Sequence, residues 1–264
     1  MSKQEKGNVK YRKLKDNETI ALGIGGLISY QIYQNVKETS TIRNIKKIIE
    51  AFNIPIIAKD GFEADDVIGT LAVVAARQGV EVIVSSGDKD LSQLVNEHIT
   101  IIDTMNGKRR DMAGVEAEFG VPARLMVDYQ TLVGDQVDNV PGVEKVGPKT
   151  AAKWLQEHGS LDALVAQADT IKGVAGENLR KALAWLPMGR KLVTVVTDCD
   201  LSRDIAGFPA LDALALKPVD RSGLLDFYAR FGFQVTRTLD HRRNGTTGAR
   251  RNTSSSRHRL DVLA

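Results

Sequence analysis

Between residues 54 and 90 the chain twice repeats one unit: a short apolar run, an acidic loop, then a helical pattern. Ile54 to Ala58 (IPIIA) empties into KDGFEADD and is followed by Val67 to Gln78, where Val67, Leu71 and Val74 fall on one face and Gly79 closes the segment. Val82 to Ser85 then empties into SGDKD. Strand, loop, helix, strand is the arrangement of a parallel-type sheet with helical crossovers, in which functional groups collect at the carboxyl ends of the strands. Both acidic loops are therefore expected on one edge of the same sheet.

Around this unit the pattern predicts a helix over Thr41 to Phe52, from the helical spacing of Ile42, Ile45, Ile48, Ile49 and Phe52. It predicts another strand at Ile99 to Ile102 and a turn from Met105 to Asp111 with Gly107 at its tip. After Ala113 the period becomes helical: Ala113 to Phe119, Arg124 to Leu132, Lys149 to His158, Leu161 to Ala168, Gly176 to Leu186 and Arg221 to Phe231. Pro187 and Gly189 read as punctuation, and Pro209 and Pro218 as loop. The expected organisation is a basic, unassigned segment 1–38, an α/β core 39–112, a helical region 113–240 and a basic tail 241–264. That tail, HRRNGTTGARRNTSSSRHRLDVLA, has no apolar period and is expected to be disordered.

The acidic loops supply Glu63, Asp65, Asp66, Asp88 and Asp90, and the stretch LVGDQVDN adds Asp135 and Asp138. Seven carboxylates converging in a cleft would repel one another unless divalent cations neutralised them. An all-oxygen donor set, with the four histidines scattered at positions 98, 158, 241 and 258, selects Mg2+ or Mn2+ over zinc. Two such ions about 4 Å apart would activate water and stabilise the leaving oxygen of a phosphodiester. The bland alternative is that Asp65 and Asp66 merely complement a helix dipole and that the other acids are loop residues.

Directly after the last two acids comes GVEKVGPKT, from Gly142 to Thr150. A nucleotide-binding P-loop would need Gly-Lys-Thr in sequence after an apolar strand, but Pro148 separates Gly147 from Lys149 and a helical segment precedes it. The better reading is two helices joined by a glycine turn whose amides face a phosphate, with Gly142, Lys145, Gly147, Lys149, Thr150 and Lys153 as the binding residues. Such contacts read the backbone of DNA without regard to base sequence and weaken with salt.

Composition narrows the class further. With 264 residues and 42% hydrophobic content the chain can bury a substantial core, and its net charge of +3 hides basic ends set around acidic motifs. One cysteine, Cys199, excludes an internal disulfide and fits a reducing compartment. The polar start MSKQEKGNVKYRKLKDN is unlike a secretory signal, so a soluble cytoplasmic protein is expected.

Four segments carry a resemblance: EADDVIGTLA from Glu63, SSGDKDL from Ser85, VGDQVDNVPGVEKVGPKTAAKWL from Val133 and IKGVAGENLRKAL from Ile171. Together they resemble the 5′-nuclease domain of bacterial DNA polymerase I, of the flap endonuclease family, over roughly Ile42 to Phe233. The resemblance implies a PIN/flap-endonuclease-like fold followed by a helical part with a helix-hairpin-helix element, and hydrolysis of DNA by 5′-flap cleavage and 5′-3′ exonuclease activity in replication and repair. It assigns all seven carboxylates to two Mg2+ or Mn2+ ions, with Asp65, Asp66, Asp88 and Asp135 in the catalytic centre. It also implies a K+ ion at the hairpin and DNA partners such as 5′ flaps, nicked or gapped duplexes and RNA-primer junctions, alongside a polymerase domain that this chain does not contain.

Two departures qualify the resemblance: the tail from His241 does not resemble the family, and neither does the start of the chain. The family's opening strands, with their Asp ligands, and its basic arch have no match in Met1 to Glu38, where Tyr11, Arg12, Lys13 and Lys15 are the nearest analogue of the arch. Since the family's first strand lies mid-sheet, either residues near Ile20 to Ile32 supply a substitute or the sheet has a gap. The alternative reading is thus a non-catalytic DNA-binding remnant of such a domain.

Overall fold

The structure, a computed structural model, describes residues 20–22, 27–30, 40–231 and 259–263, with side chains over 42–231. The expected basic start and the arch analogue at Tyr11 to Lys15 lie outside the described residues. Four parallel pairings among the described residues form the heart of the sheet. β3 (Ile56–Ala58) lies beside β2 (Leu27–Tyr30), and β4 (Glu81–Ser85) lies beside β5 (Ile99–Asp103) on one side and β9 (Arg259–Leu263) on the other. β9 also touches β2 through Leu27 and Val262, and so bridges the two halves of the sheet. Antiparallel strands flank this core: β1 (Ile20–Leu22) on β2, and β6 (Lys108–Arg110) on β5.

Two expectations need correction here. The tail was expected to be disordered, yet its segment Arg259–Leu263 is a strand placed between β2 and β4. Arg, Ser, Thr and Gly are frequent in the tail, but RLDVL includes residues with strand propensity, and its backbone meets the ladder groups of the neighbouring strands. The Met105 to Asp111 turn is instead the tip of a hairpin, whose second strand is β6. The segment near Ile20 to Ile32 does supply strands, β1 and β2.

Helices α1 (Ser40–Ala51) and α2 (Ala64–Arg77) follow their predicted periods to within a few residues. α2 buries Ala64, Val67, Ile68, Leu71, Ala72 and Ala75 against the sheet. Gly69 faces the segment after residue 193, where an added Cβ would come within 2.7 Å of Val195 Cγ1, so this helix can approach only because the position lacks a side chain. The carboxyl ends of β3 and β4 open onto Glu63–Asp66 and Asp88–Asp90, as the repeated unit requires.

The helical part comprises α3 (Met112–Phe119), α4 (Met126–Val133), α5 (Pro148–His158), α6 (Leu161–Ala166), α7 (Gly173–Ala182), α8 (Leu186–Val193) and α9 (Arg221–Phe231). Where a single helix over Gly176 to Leu186 was expected, two are found. Pro187 sits in the first turn of α8, where its missing N–H costs nothing, and Gly189 packs against the Trp185 ring, so both residues belong to a helix. Among the described residues one large apolar cluster runs from Ile57, Val82 and Ile101 in the sheet to Leu132, Leu155, Leu164 and Leu179 in the helices, so the α/β and helical parts share it. No helix among the described residues is long and apolar enough to cross a membrane.

Candidate metal and DNA site

Asp90, Asp135 and Asp138 come together: each offers a carboxylate oxygen, and these oxygens lie within 4.8 Å of one another. All three residues are buried, at 2%, 4% and 8% exposure, so the like charges face each other with little water between them. Their convergence follows from local structure. Asp90 starts a short 3-10 turn, where its amide is held by the Asp88 carboxylate at 3.0 Å. Asp135 lies in a two-residue ladder, β7 (Gly134–Asp135) with β8 (Val140–Pro141), and its Oδ1 accepts from the amides of Val137 and Asp138, folding the loop so that Asp138 returns beside it.

The loop depends on a glycine. Gly134 has φ +77° and ψ 178°, and a Cβ there would lie 2.3 Å from Gly142 N and 2.6 Å from Val140 O. Only glycine combines that backbone region with so close an approach.

Lys89 reaches into the same centre, its Nζ 3.0 Å from Asp135 Oδ2. Burial pulls the Lys89 ammonium down, but Asp135, Asp90 and Asp88 outweigh it and leave the group above its ordinary value. Burial likewise pushes Asp135 up, while Lys89 and the two loop amides reverse this and hold the carboxyl below the usual range. A buried trio of carboxylates with no sulfur or imidazole among its donors is a coordination set for a hard divalent cation, and the residues fit one.

The other predicted ligands are placed differently. Asp66 Oδ2 accepts from the Glu63 amide in a capping box at the start of α2, and Asp66 Oδ1 accepts from Val196 N at 2.8 Å, so this side chain also fastens the 195–199 segment to the helix. Glu63, Asp65, Asp66 and Asp88 lie at the carboxyl ends of the strands, but among the described residues they do not join the three-carboxylate group.

Several residues around the centre were not anticipated from sequence. Gln93 donates to the carbonyls of Asp90 and Val193 and accepts from Val195 N, all at 2.9 Å, which pins the Asp90 backbone to the end of α8. Arg110, 6% exposed, sets its guanidinium on Glu118 with Nε 2.7 Å from Oε2 and turns Nη1 toward the carbonyls of Gly87 and Asp88 at 3.4 and 3.5 Å. Gln130, on α4, donates to Asp90 Oδ1. A sequence signal existed for Gln130: it stands within the apolar pattern of Met126, Tyr129 and Leu132, where a polar residue is uncommon without a partner.

Beyond the carboxylates the chain forms the expected hairpin. Val143 N bonds to Leu132 O at 2.8 Å and Val146 N to Val143 O at 3.0 Å, closing a turn in which Lys145 takes φ +62°. Val143 and Val146 are buried, whereas Lys145, Gly147 and Lys149 are exposed, Thr150 is half-buried, and Gly142 packs backbone to backbone on Val133. Asn178 of α7 donates to Glu144 O and braces the turn from below. Gly147 caps α5, whose first-turn amides have no partner within the helix; Lys149 and the exposed Lys153, four residues apart, share a face of α5, and the exposed Lys145 stands in the turn before it.

Comparison with known proteins gives two adjoining family models. Residues 36–120 match the N-terminal resolvase-like domain of 5′-3′ exonucleases, and residues 121–221 match their C-terminal SAM fold. DNA polymerase I of Rhizobium leguminosarum is 46% identical over 124 residues, which is 47% of this chain and 12% of that protein. A 5′-3′ exonuclease of Aquifex aeolicus is 45% identical over 121 residues, 46% of this chain and 42% of that protein. The chain thus matches less than half the length of either relative. Among solved structures, a T5 5′-exonuclease mutant superposes with TM-score 0.55 at 19% identity over 72% of this chain and 74% of its own, a likeness of fold. A T5 5′-exonuclease with bound zinc gives TM-score 0.54 over 75% of this chain and 71% of its own.

Proposed function

Because the chain belongs to the 5′-3′ exonuclease family, we propose that it is a structure-specific nuclease acting on DNA 5′ ends and flaps with Mg2+ or Mn2+. The observation that carries this reading is the trio Asp90, Asp135 and Asp138 set immediately before a backbone-binding hairpin. Asp135 and Asp138 are separated from Gly142 by one short ladder, so a duplex gripped by Lys145 and Lys149 presents its phosphates to the carboxylates at a fixed register. A divalent ion held by the trio would acidify a water and neutralise charge developing on the phosphate. Asp88, Asp65, Asp66 and Glu63 complete the acidic edge of the sheet, where a second ion would bind, and a K+ ion at the hairpin carbonyls would strengthen phosphate binding there. Lys89 contributes the cationic side chain nearest the centre and is suited to meet a phosphate oxygen. A cytoplasmic setting suits this reading, and no helix among the described residues is long and apolar enough to cross a membrane.

The test is cleavage of a labelled 5′-flap duplex by the full chain in Mg2+ and in EDTA, beside Asp135→Asn. Cleavage in Mg2+ that is lost in EDTA and in the variant supports the reading; activity surviving both refutes it. One observation favours the second reading, a DNA-binding module without turnover: Asp66, a predicted ligand, has both oxygens engaged in capping and tethering. Flap binding in EDTA with no cleavage under any divalent ion would establish that alternative.

A further inference from the structure

Gln130 is 2% exposed on α4, in the interior between the helix and the Asp90 turn. Its Nε2 donates to Asp90 Oδ1, while its Oε1 is buried and has no hydrogen-bond partner among the described residues. A buried amide that uses one end and leaves the other idle is costly in a purely structural role, because the desolvated acceptor gains nothing in return. Gln93 shows what a structural amide does next to the same carboxylate: it spends both ends on main-chain groups and fixes the Asp90 backbone. Gln130 alone of the two acts on the Asp90 side chain.

We infer that Gln130 is a positioning residue of the carboxylate centre, orienting Asp90 for a divalent cation and offering its idle Oε1 to a donor that enters with the ion. The inference rests on the reading of Asp90, Asp135 and Asp138 as a cation site. The Nε2 donor on Oδ1 restrains the torsion of a carboxylate that shares its group with Asp135 and Asp138. Hydration waters of a hard cation are strong donors, and a buried amide carbonyl is a neutral acceptor for one of them beside the carboxylates. The geometry therefore makes Gln130 useful when an ion is present and a liability when none is.

That asymmetry gives a test that needs no substrate. The full chain, Gln130→Leu and the near-isosteric Gln130→Met are titrated with MnCl2 alone, following calorimetric binding and the thermal midpoint. The expected result is a 10- to 100-fold rise in half-saturating Mn2+ for both variants, with metal-free midpoints within about 3 °C of the parent or above it. Half-saturation within about twofold of the parent overturns the inference, since a hydrogen-bond partner that orients a metal ligand is worth more than that. A metal-free midpoint lower by more than about 5 °C in both variants, or failure of both to fold, also overturns it, by showing that the amide serves the fold. A parent chain that binds no Mn2+ overturns the cation site itself and this inference with it, an outcome distinct from a parent that binds and variants that match it.

Discussion

Replacing Arg110 by leucine is expected to loosen the loop that carries Asp88, and the size of the effect can be worked from the contacts. The guanidinium is 6% exposed and makes two bonds to Glu118, at 2.7 and 3.3 Å, besides facing the carbonyls of Gly87 and Asp88. Breaking a fully buried pair by removing one partner costs about 3–5 kcal/mol. Glu118 is a fifth exposed and keeps Lys108 at 2.8 Å, so a smaller loss, about 2–3 kcal/mol, is expected. For a chain of this size that is a fall of about 4–12 °C in the thermal midpoint. Glu118→Leu added to Arg110→Leu should recover part of it, because the double variant buries no unpaired charge. The acid limb gives a second readout. Burial pushes the Glu118 carboxyl up, but Arg110 and Lys108 outweigh burial and hold it below its ordinary value of 4.5. A depressed carboxylate stabilises the fold above the unfolded value and loses that contribution as pH falls through the folded one, so the parent should lose its advantage over Arg110→Leu below about pH 4.5. Thermal melts from pH 3 to pH 8 measure both effects. A midpoint shift under about 2 °C at pH 7, or a difference between the two proteins that does not shrink in acid, would refute the argument.

Two further outcomes follow from the site. Gly134→Ala should cost about 3 kcal/mol or more and abolish metal binding together with cleavage, since its Cβ would strike the Gly142 backbone and displace Asp135; a stable, metal-binding alanine variant would contradict the loop geometry. Lys145→Ala with Lys149→Ala should weaken binding to flap and plain duplex alike and reduce the slope of log affinity against log salt by about one to two, measured by fluorescence anisotropy; a loss confined to one base sequence would exclude backbone recognition.

The sequence exposed those parts of the site that follow from a period or a turn. The repeated strand and acidic loop put Asp88 and Asp90 at a strand's carboxyl end, and the glycines around Val143 and Val146 gave the hairpin. Less visible were groups whose role depends on contacts distant in sequence. Gln130 meets Asp90 across 40 positions, Arg110 reaches back to Gly87, and Asp66 is drawn to Val196 N, which converts a predicted ligand into a tether. Pro187 and Gly189 misled because both residues break helices more often than they begin or pack them. The strand in the tail was hidden by its surroundings: five residues among Arg, Ser and Gly carry no period long enough to read.

The position of that strand sets a timetable. Arg259 pairs with Glu81 and Leu263 with Ser85, partners 178 positions apart (259 − 81), so the sheet joins segments far apart in sequence. β4 and β5 are synthesised well before β9, and until β9 is in place one edge of β4 has a row of amides and carbonyls unmet. Closure of a loop that long carries a large entropic cost, and an unpaired edge of β4 is a place where another extended segment can compete. The helices that carry the hairpin lie between these strands in sequence, so the DNA-gripping half has the opportunity to fold before the sheet beside the carboxylates is complete.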